Sequence, residues 1–189
     1  MKIQFPRTYL AAAAQFMAAN DIRYYLNGMC VEVLATETRL VATDGHIAGV
    51  LRWPTTNDEM CDVIIPAATV ALVCKMKGDF VELAHEDGRG WSLDGVPFAP
   101  IDGKFPDYRR VIITRPSGEA GNYNPELLMR FVKAARALKL RSVPIVRQNG
   151  EHGALVHFHD FDNFMGVCMG MRQFTEKSPD LGIPTWAAA

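Results

Sequence analysis
Apolar and polar positions along the chain fall into short runs whose order repeats. Lys2 to Phe5 reads as a short strand and Thr8 to Asn20 as a helix. Three strand-like runs follow, Met29 to Leu34, Arg39 to Thr43 and Ile47 to Trp53, with Asp44-Gly45 as the turn between the last two. The order starts again at Val63 to Ile65. Pro66 opens a helix through Lys75, and Phe80 to Ala84, Gly90 to Leu93 and Val96 to Ile101 are the next strands. A third copy follows the turn-rich Pro116 to Gly121. There Asn124 is set to cap a helix that starts with Pro125 and Glu126 and runs to about Leu138. Its strands are Val143 to Arg147, Ala154 to His159 and Phe164 to Met171. The pattern therefore predicts an α+β fold of three successive βαβββ units, legible in element order because the units share little residue identity. Residues 173–189 have no periodicity and read as a tail.

Composition narrows the picture. The chain has 189 residues, 49% of them apolar, enough for one good core and a smaller second one. Basic and acidic residues number 20 and 21, so net charge neither demands nor excludes a nucleic-acid partner. Cys30, Cys61, Cys74 and Cys168 form no C-x-x-C pair; they read as packed, reduced thiols of a cytoplasmic protein. Lys2 and Arg7 followed by TYLAAAAQFMAAN imitate a secretion signal, but alanine is weakly apolar and Pro6 and Gln15 interrupt the run, so an ordinary helix is expected. No stretch approaches the roughly 20 apolar residues of a membrane span.

Candidate chemistry is sparse. In the third helix Leu128, Phe131, Val132, Ala135 and Leu138 share one face; Arg130, Lys133 and Arg136 share the opposite one, with Lys139 and Arg141 just beyond. Such a stripe suits phosphate contact and equally suits a solvated face. Lys75 and Lys77 end the second helix. His157, His159, Asp160 and Asp162 resemble a metal cluster, against the plain alternative of a half-exposed strand entering a polar turn. Asp44 and His46 have the chemistry of a catalytic pair, but both belong to a turn. No phosphate loop, nucleophile elbow or H-E-x-x-H helix is present, and neither enzymatic activity nor a cofactor is expected.

Three stretches carry a resemblance. Asp21 to Met29 reads DIRYYLNGM, Val41 to His46 reads VATDGH, and Phe105 to Val111 reads FPDYRRV. Together, in that order and spacing, they resemble the middle domain of the bacterial DNA polymerase III beta subunit, the DNA sliding clamp. Asn122 to Leu138 and the run VCMGMR, Val167 to Arg172, are similar to the second half of that protein's third domain. The resemblance implies a DNA-clamp fold: a complete clamp domain over 1–112, a half-domain over 113–172, and the tail.

Several residues gain expected roles from it. Leu26, Thr43, Gly45, His46, Ile47, Ala48, Pro106, Arg110, Val111, Val167, Cys168, Met169, Gly170, Met171 and Arg172 match the pocket that receives peptides from DNA polymerase and the clamp loader. Ile47 and Ala48 stand where the family usually has arginine and leucine, and Gly170 replaces a proline. Asn20, Arg23, Tyr24 and Tyr25, with Lys75, Lys77, Arg130, Lys133, Arg136, Lys139 and Arg141, are the positions implied to contact duplex DNA without regard to sequence. The third unit, of roughly fifty residues, is small for a lone core. Leu128, Phe131, Val132 and Leu138 are expected to be left partly bare, which points to self-association as a dimer or tetramer. The leading expectation is a processivity factor that tethers replication or repair proteins to DNA. The alternative is a clamp mimic that competes for the same peptides or binds a host clamp; a metal-dependent hydrolase is a third.

Overall fold
The computed structural model describes residues 1–171. The first unit comprises β1 (Lys2–Pro6), α1 (Arg7–Ala13), β2 (Gly28–Leu34), β3 (Glu37–Thr43) and β4 (Ile47–Pro54). The second comprises β5 (Cys61–Pro66), α2 (Ala67–Val73), β6 (Phe80–Glu86), β7 (Gly90–Leu93) and β8 (Val96–Phe98). The third has α3 (Pro125–Ala137), β9 (Pro144–Arg147), β10 (Ala154–Phe158) and β11 (Phe161–Cys168). Its opening strand is reduced to one bridge between Asn122 and Met171.

The first two helices are shorter than the pattern suggests. α1 has no side-chain cap, no acidic residue in its first turn and no basic residue in its last, and it tightens into a 3-10 turn at Ala14–Phe16. α2 lacks the same supports and stops before Lys75. In α3 the Asn124 side chain accepts from the Glu126 N–H at 2.9 Å, Pro125 opens the first turn, and Glu126 and Arg136 sit at the ends that favour their charges. That helix has the expected length.

The opening strands are exchanged between units. β1 pairs antiparallel with β6, and β5 pairs antiparallel with β2, so each of the first two units completes the other's sheet. The third unit builds onto the first: β11 joins β4 antiparallel, from Phe164 opposite Leu51 to Cys168 opposite Ile47. The result is a seven-stranded sheet in the order β5-β2-β3-β4-β11-β10-β9, beside a four-stranded sheet β1-β6-β7-β8.

Two glycines let the joint close. Gly166 lies opposite Gly49 across the β4–β11 pair. A Cβ on Gly49 would come within 2.3 Å of the Phe16 ring, and one on Gly166 within 2.3 Å of the Phe131 ring. The two rings occupy that space with centroids 4.9 Å apart, and Phe164 and Phe158 extend the cluster. Phe131 is therefore fully buried and Leu138 nearly so. This corrects the expectation of a partly bare α3 face for Phe131 and Leu138, which the first unit covers within one chain, while Leu128 and Val132 stay half-buried.

Arg130 is the second correction. Its guanidinium donates to the Gln15 carbonyl and, at 2.7 Å, to the Met17 carbonyl, and it pairs with Asp44. It fastens α3 to the first unit and is withdrawn from the basic stripe. Arg7 is spent in the same way, donating to the carbonyls of Gly78, Val73 and Phe80 at 2.8 Å and pairing with Asp94 at 2.7 Å. Along β11 the side chains alternate, and Cys168 turns into the core, where burial pushes its thiol up to about 11.

Replacing Phe131 by alanine is expected to lower unfolding free energy in urea by about 3–5 kcal/mol, the usual cost of emptying a buried ring site. A loss below 1 kcal/mol would show that the joint adds little to stability, since about 1 is the typical mutational loss anywhere. Cys168 is expected to escape alkylation at mildly alkaline pH in the folded protein and to react once urea unfolds it. Prompt modification of Cys168 in the native state would place its thiol toward solvent.

Candidate functional site
The turn from β3 to β4 is built by its own side chains. The Asp44 carboxylate accepts from the His46 and Ile47 N–H groups at 2.8 and 2.9 Å. The Thr43 hydroxyl donates to the Ile47 carbonyl at 2.6 Å and accepts from the Gly45 N–H at 3.0 Å. Gly45 sits at φ +91°, a conformation that strains any residue with a Cβ. The third unit docks beside this turn, where the Met169 N–H donates to the His46 carbonyl at 2.8 Å and carries the β4–β11 pairing past the strand end.

Two further segments close around it. In the stretch from Asp21, the Asn27 amide donates to the Asp21 carbonyl at 2.8 Å and its oxygen accepts from the Asp21 N–H at 2.9 Å. Arg23 donates to the Asp21 carboxylate at 2.7 and 3.0 Å and to the Asp44 carbonyl at 3.0 Å. The Arg23 hydrogen bonds hold the Asp21 carboxyl down at about 2. A Cβ at Gly45 would lie 2.7 Å from that guanidinium and would have to displace the Arg23 side chain, in addition to the strain of its positive φ. In the second segment, Tyr108–Val111 is a 3-10 turn pinned from below. The Tyr108 hydroxyl donates to Glu32 at 2.9 Å and accepts from Arg39 at 3.0 Å; burial raises it to about 12, with the Arg39 bond opposing. Arg109 makes a forked pair with Glu32 at 2.8 and 3.0 Å.

Between the turn, the 106–111 segment and β11 lies an open cleft of about 160 Å³. Of the residues expected there, it brings together Leu26, Thr43, Gly45, His46, Ile47, Ala48, Pro106, Val111, Val167 and Met169. Val111 and Met169 are apolar yet 43% and 42% exposed on its wall. Arg23, Tyr25, Asp107 and Tyr108 also line it. The sequence reading assigned Arg23 and Tyr25 to DNA and did not single out the other two; their membership in the matching stretches was the available signal.

Other expected cleft residues lie elsewhere. Arg110 is exposed and pairs with Asp107 at 3.3 Å, off the cleft wall. Cys168 faces the core. A Cβ on Gly170 would meet the carbonyl oxygens of Glu151 and His152 at 2.6 Å, so this residue packs against a loop. Met171 bonds through its N–H to the Asn122 carbonyl at 2.7 Å. Arg172, like the tail, lies outside the described residues.

Among the positions expected to meet DNA, Lys133, Arg136, Lys139 and Arg141 are exposed on and just after α3, and Lys75 and Lys77 are exposed after α2. Asn20 is exposed in the left-handed region at φ +58°. Tyr24 is exposed, edge-on to Tyr25 at 5.7 Å. His159 is tied to Asp160 at 2.6 Å, and burial, then Arg147 and His159, lowers the pKa of His157. Among the described residues no three His, Cys, Asp or Glu side chains gather as a metal site, and no helix is long and apolar enough to cross a membrane.

Known proteins agree with this geometry. Residues 7–107 match the family described as DNA polymerase III beta subunit, central domain. The beta sliding clamp of Escherichia coli strain K12 is 39% identical over 134 residues, covering 67% of this chain and 37% of that protein. That of Proteus mirabilis is 33% identical over 161 residues, 75% of this chain and 42% of the relative. The matched region thus spans well under half the length of these relatives. In structure, the DNA polymerase III beta subunit of Thermotoga maritima superposes with TM-score 0.70 at 15% identity, covering 92% of this chain and 66% of that one. The sliding clamp of Pseudomonas aeruginosa gives 0.61 at 21% identity, with 92% and 67% covered. The fold is that of the sliding clamps, and the chain belongs to the DNA polymerase III beta subunit family through its central domain.

Proposed function
We propose that this chain is a non-catalytic tether. On this reading it holds short peptide segments of partner proteins, such as a polymerase or a clamp loader, in the cleft beside Gly45. Through the basic residues of α3 it contacts the phosphates of duplex DNA. The clamp domain of residues 1–112 supplies the cleft floor, and the half-domain of 113–172 supplies its β11 wall and the basic helix. The observation that carries the reading is the cleft itself. Val111 and Met169 stand exposed on its wall beside polar turn atoms, over a floor that includes the buried Ile47 and Val167, a combination suited to anchoring apolar side chains while orienting a peptide backbone. Ala48, where the family usually has leucine, lowers the floor and favours a bulkier anchor.

One observation favours the rival reading, a competitor that takes up clamp-binding peptides without encircling DNA. Arg7 and Arg130 are both consumed by internal bonds, and α1 has no other charged residue. Loading onto closed circular but not linear DNA separates a topological tether from such a competitor.

A labelled peptide of the glutamine-leucine-phenylalanine type is expected to bind, read by fluorescence polarisation. Met169→Asp with Val111→Asp should weaken it by about tenfold or more, as charge placed against an apolar anchor requires. An unchanged affinity would refute the cleft assignment. DNA binding is expected to be weak and to depend on salt. Lys133→Glu with Arg136→Glu should weaken binding to every duplex sequence and flatten the log–log salt slope by about 0.9 for each phosphate contact removed. If the slope stays the same, the α3 stripe is a solvated surface.

A further inference from the structure
We propose that the chain's own C-terminal segment, centred on Leu181 to Trp186, docks in the cleft beside Gly45 and competes there with peptides of partner proteins. The proposal rests on the cleft reading above and adds a regulation to it. The first support is where the segment begins. β11 ends at Cys168, and the next residue, Met169, stands on the cleft wall with its N–H on the His46 carbonyl. Met171 is then fixed by its N–H to the Asn122 carbonyl at 2.7 Å. Residues 172–189 therefore start three positions past the cleft wall. Leu181 lies ten residues beyond Met171, a reach of up to about 35 Å, so the segment can turn back to the cleft it has just passed. Loop-closure cost grows slowly with length, and a tethered segment meets its site at an effective concentration on the order of millimolar.

The second support is what the segment contains. Asp180 to Trp186 reads DLGIPTW. Leu181 and Ile183 have the spacing that puts side chains on one side of an extended backbone, and Pro184 steers the residue before it away from helix. Trp186 adds a large aromatic side chain, while Gly182 adds no bulk between the two aliphatic ones. The charges of the segment, Glu176, Lys177 and Asp180, all precede this apolar run. The third support is what the cleft leaves unsatisfied. Val111 and Met169 expose apolar side chains on its wall, which gain from leaving water. Arg23 donates through Nε and Nη2, and among the described residues its Nη1 has no acceptor, although it reaches the space beside Gly45. The Asp180 carboxylate, directly ahead of Leu181, complements that free donor, and the apolar run complements the wall.

The test uses the full chain. Amide hydrogen exchange at Leu181, Ile183 and Trp186 is expected to be about tenfold slower than in a chain carrying Met169→Asp with Val111→Asp, both at exposed cleft positions. Such protection means docking about nine-tenths of the time, which leaves about a tenth of the clefts free. Leu181→Asp with Trp186→Asp should therefore tighten the apparent affinity for the labelled glutamine-leucine-phenylalanine peptide about tenfold. Unprotected amides in the wild-type chain overturn the proposal. So does protection that the cleft substitutions leave intact, which would put the segment on another surface. Protection that fades on dilution assigns the segment to the cleft of a second molecule and overturns docking within one chain. A peptide affinity unmoved by the Leu181 and Trp186 substitutions overturns the competition while the cleft reading stands. If the amides are protected and released as expected but the labelled peptide binds neither form, the docking holds and the reading of the cleft as a site for partner peptides fails.

Discussion
The pairing of β11 with β4 is the contact on which the rest depends. It joins the third unit's strands to those of the first in one seven-stranded sheet and brings the VCMGM run alongside the DGH turn. The pairing closes only because Gly49 and Gly166 face each other and leave room beneath for Phe16 and Phe131. Side chains at these two positions would collide with the rings and push α1 and α3 away from the sheet. The cleft would lose its third-unit wall, although every residue of the turn would still be in place. Packing at the joint and the shape of the site are thus one constraint.

Electrostatics fixes the remaining walls. Arg23 ties the loop after α1 to Asp21 and to the turn carbonyl of Asp44, Arg109 ties the 108–111 turn to Glu32, and Arg130 ties α3 to Asp44. Each guanidinium serves at least two acceptors, which a planar, always charged group with several donors does well. The consequence for function is a division of labour among cations. Those that hold the cleft together are not free for the proposed phosphate contact, whereas Lys133, Arg136, Lys139 and Arg141, with the lysines after α2, stand exposed. The half-exposed Arg109–Glu32 and Arg23–Asp21 pairs act more as positioning bonds than as sources of stability, since solvent screens them.

The sequence by itself determined the repeat order, nearly every strand, the α3 cap and the β3–β4 turn, because period, capping chemistry and Asp-Gly turns act over a few residues. Ten of the cleft residues were also legible, through three short matching stretches that keep their local conformation wherever the fold occurs. What only the tertiary structure decided depends on residues far apart in the chain. It withdrew Arg130 from the basic face, since its acceptors at Gln15, Met17 and Asp44 are over eighty positions away. It covered Phe131 and turned Cys168 inward, because burial follows from which element lies opposite and not from helical or strand phase alone. It moved Arg23 and Tyr25 to the cleft because the loop after α1 folds back over Gly45. The exchanged opening strands have the same origin: the pattern specifies a strand at Lys2 and at Val63, but its partner is chosen by the helix that must be packed between the sheets.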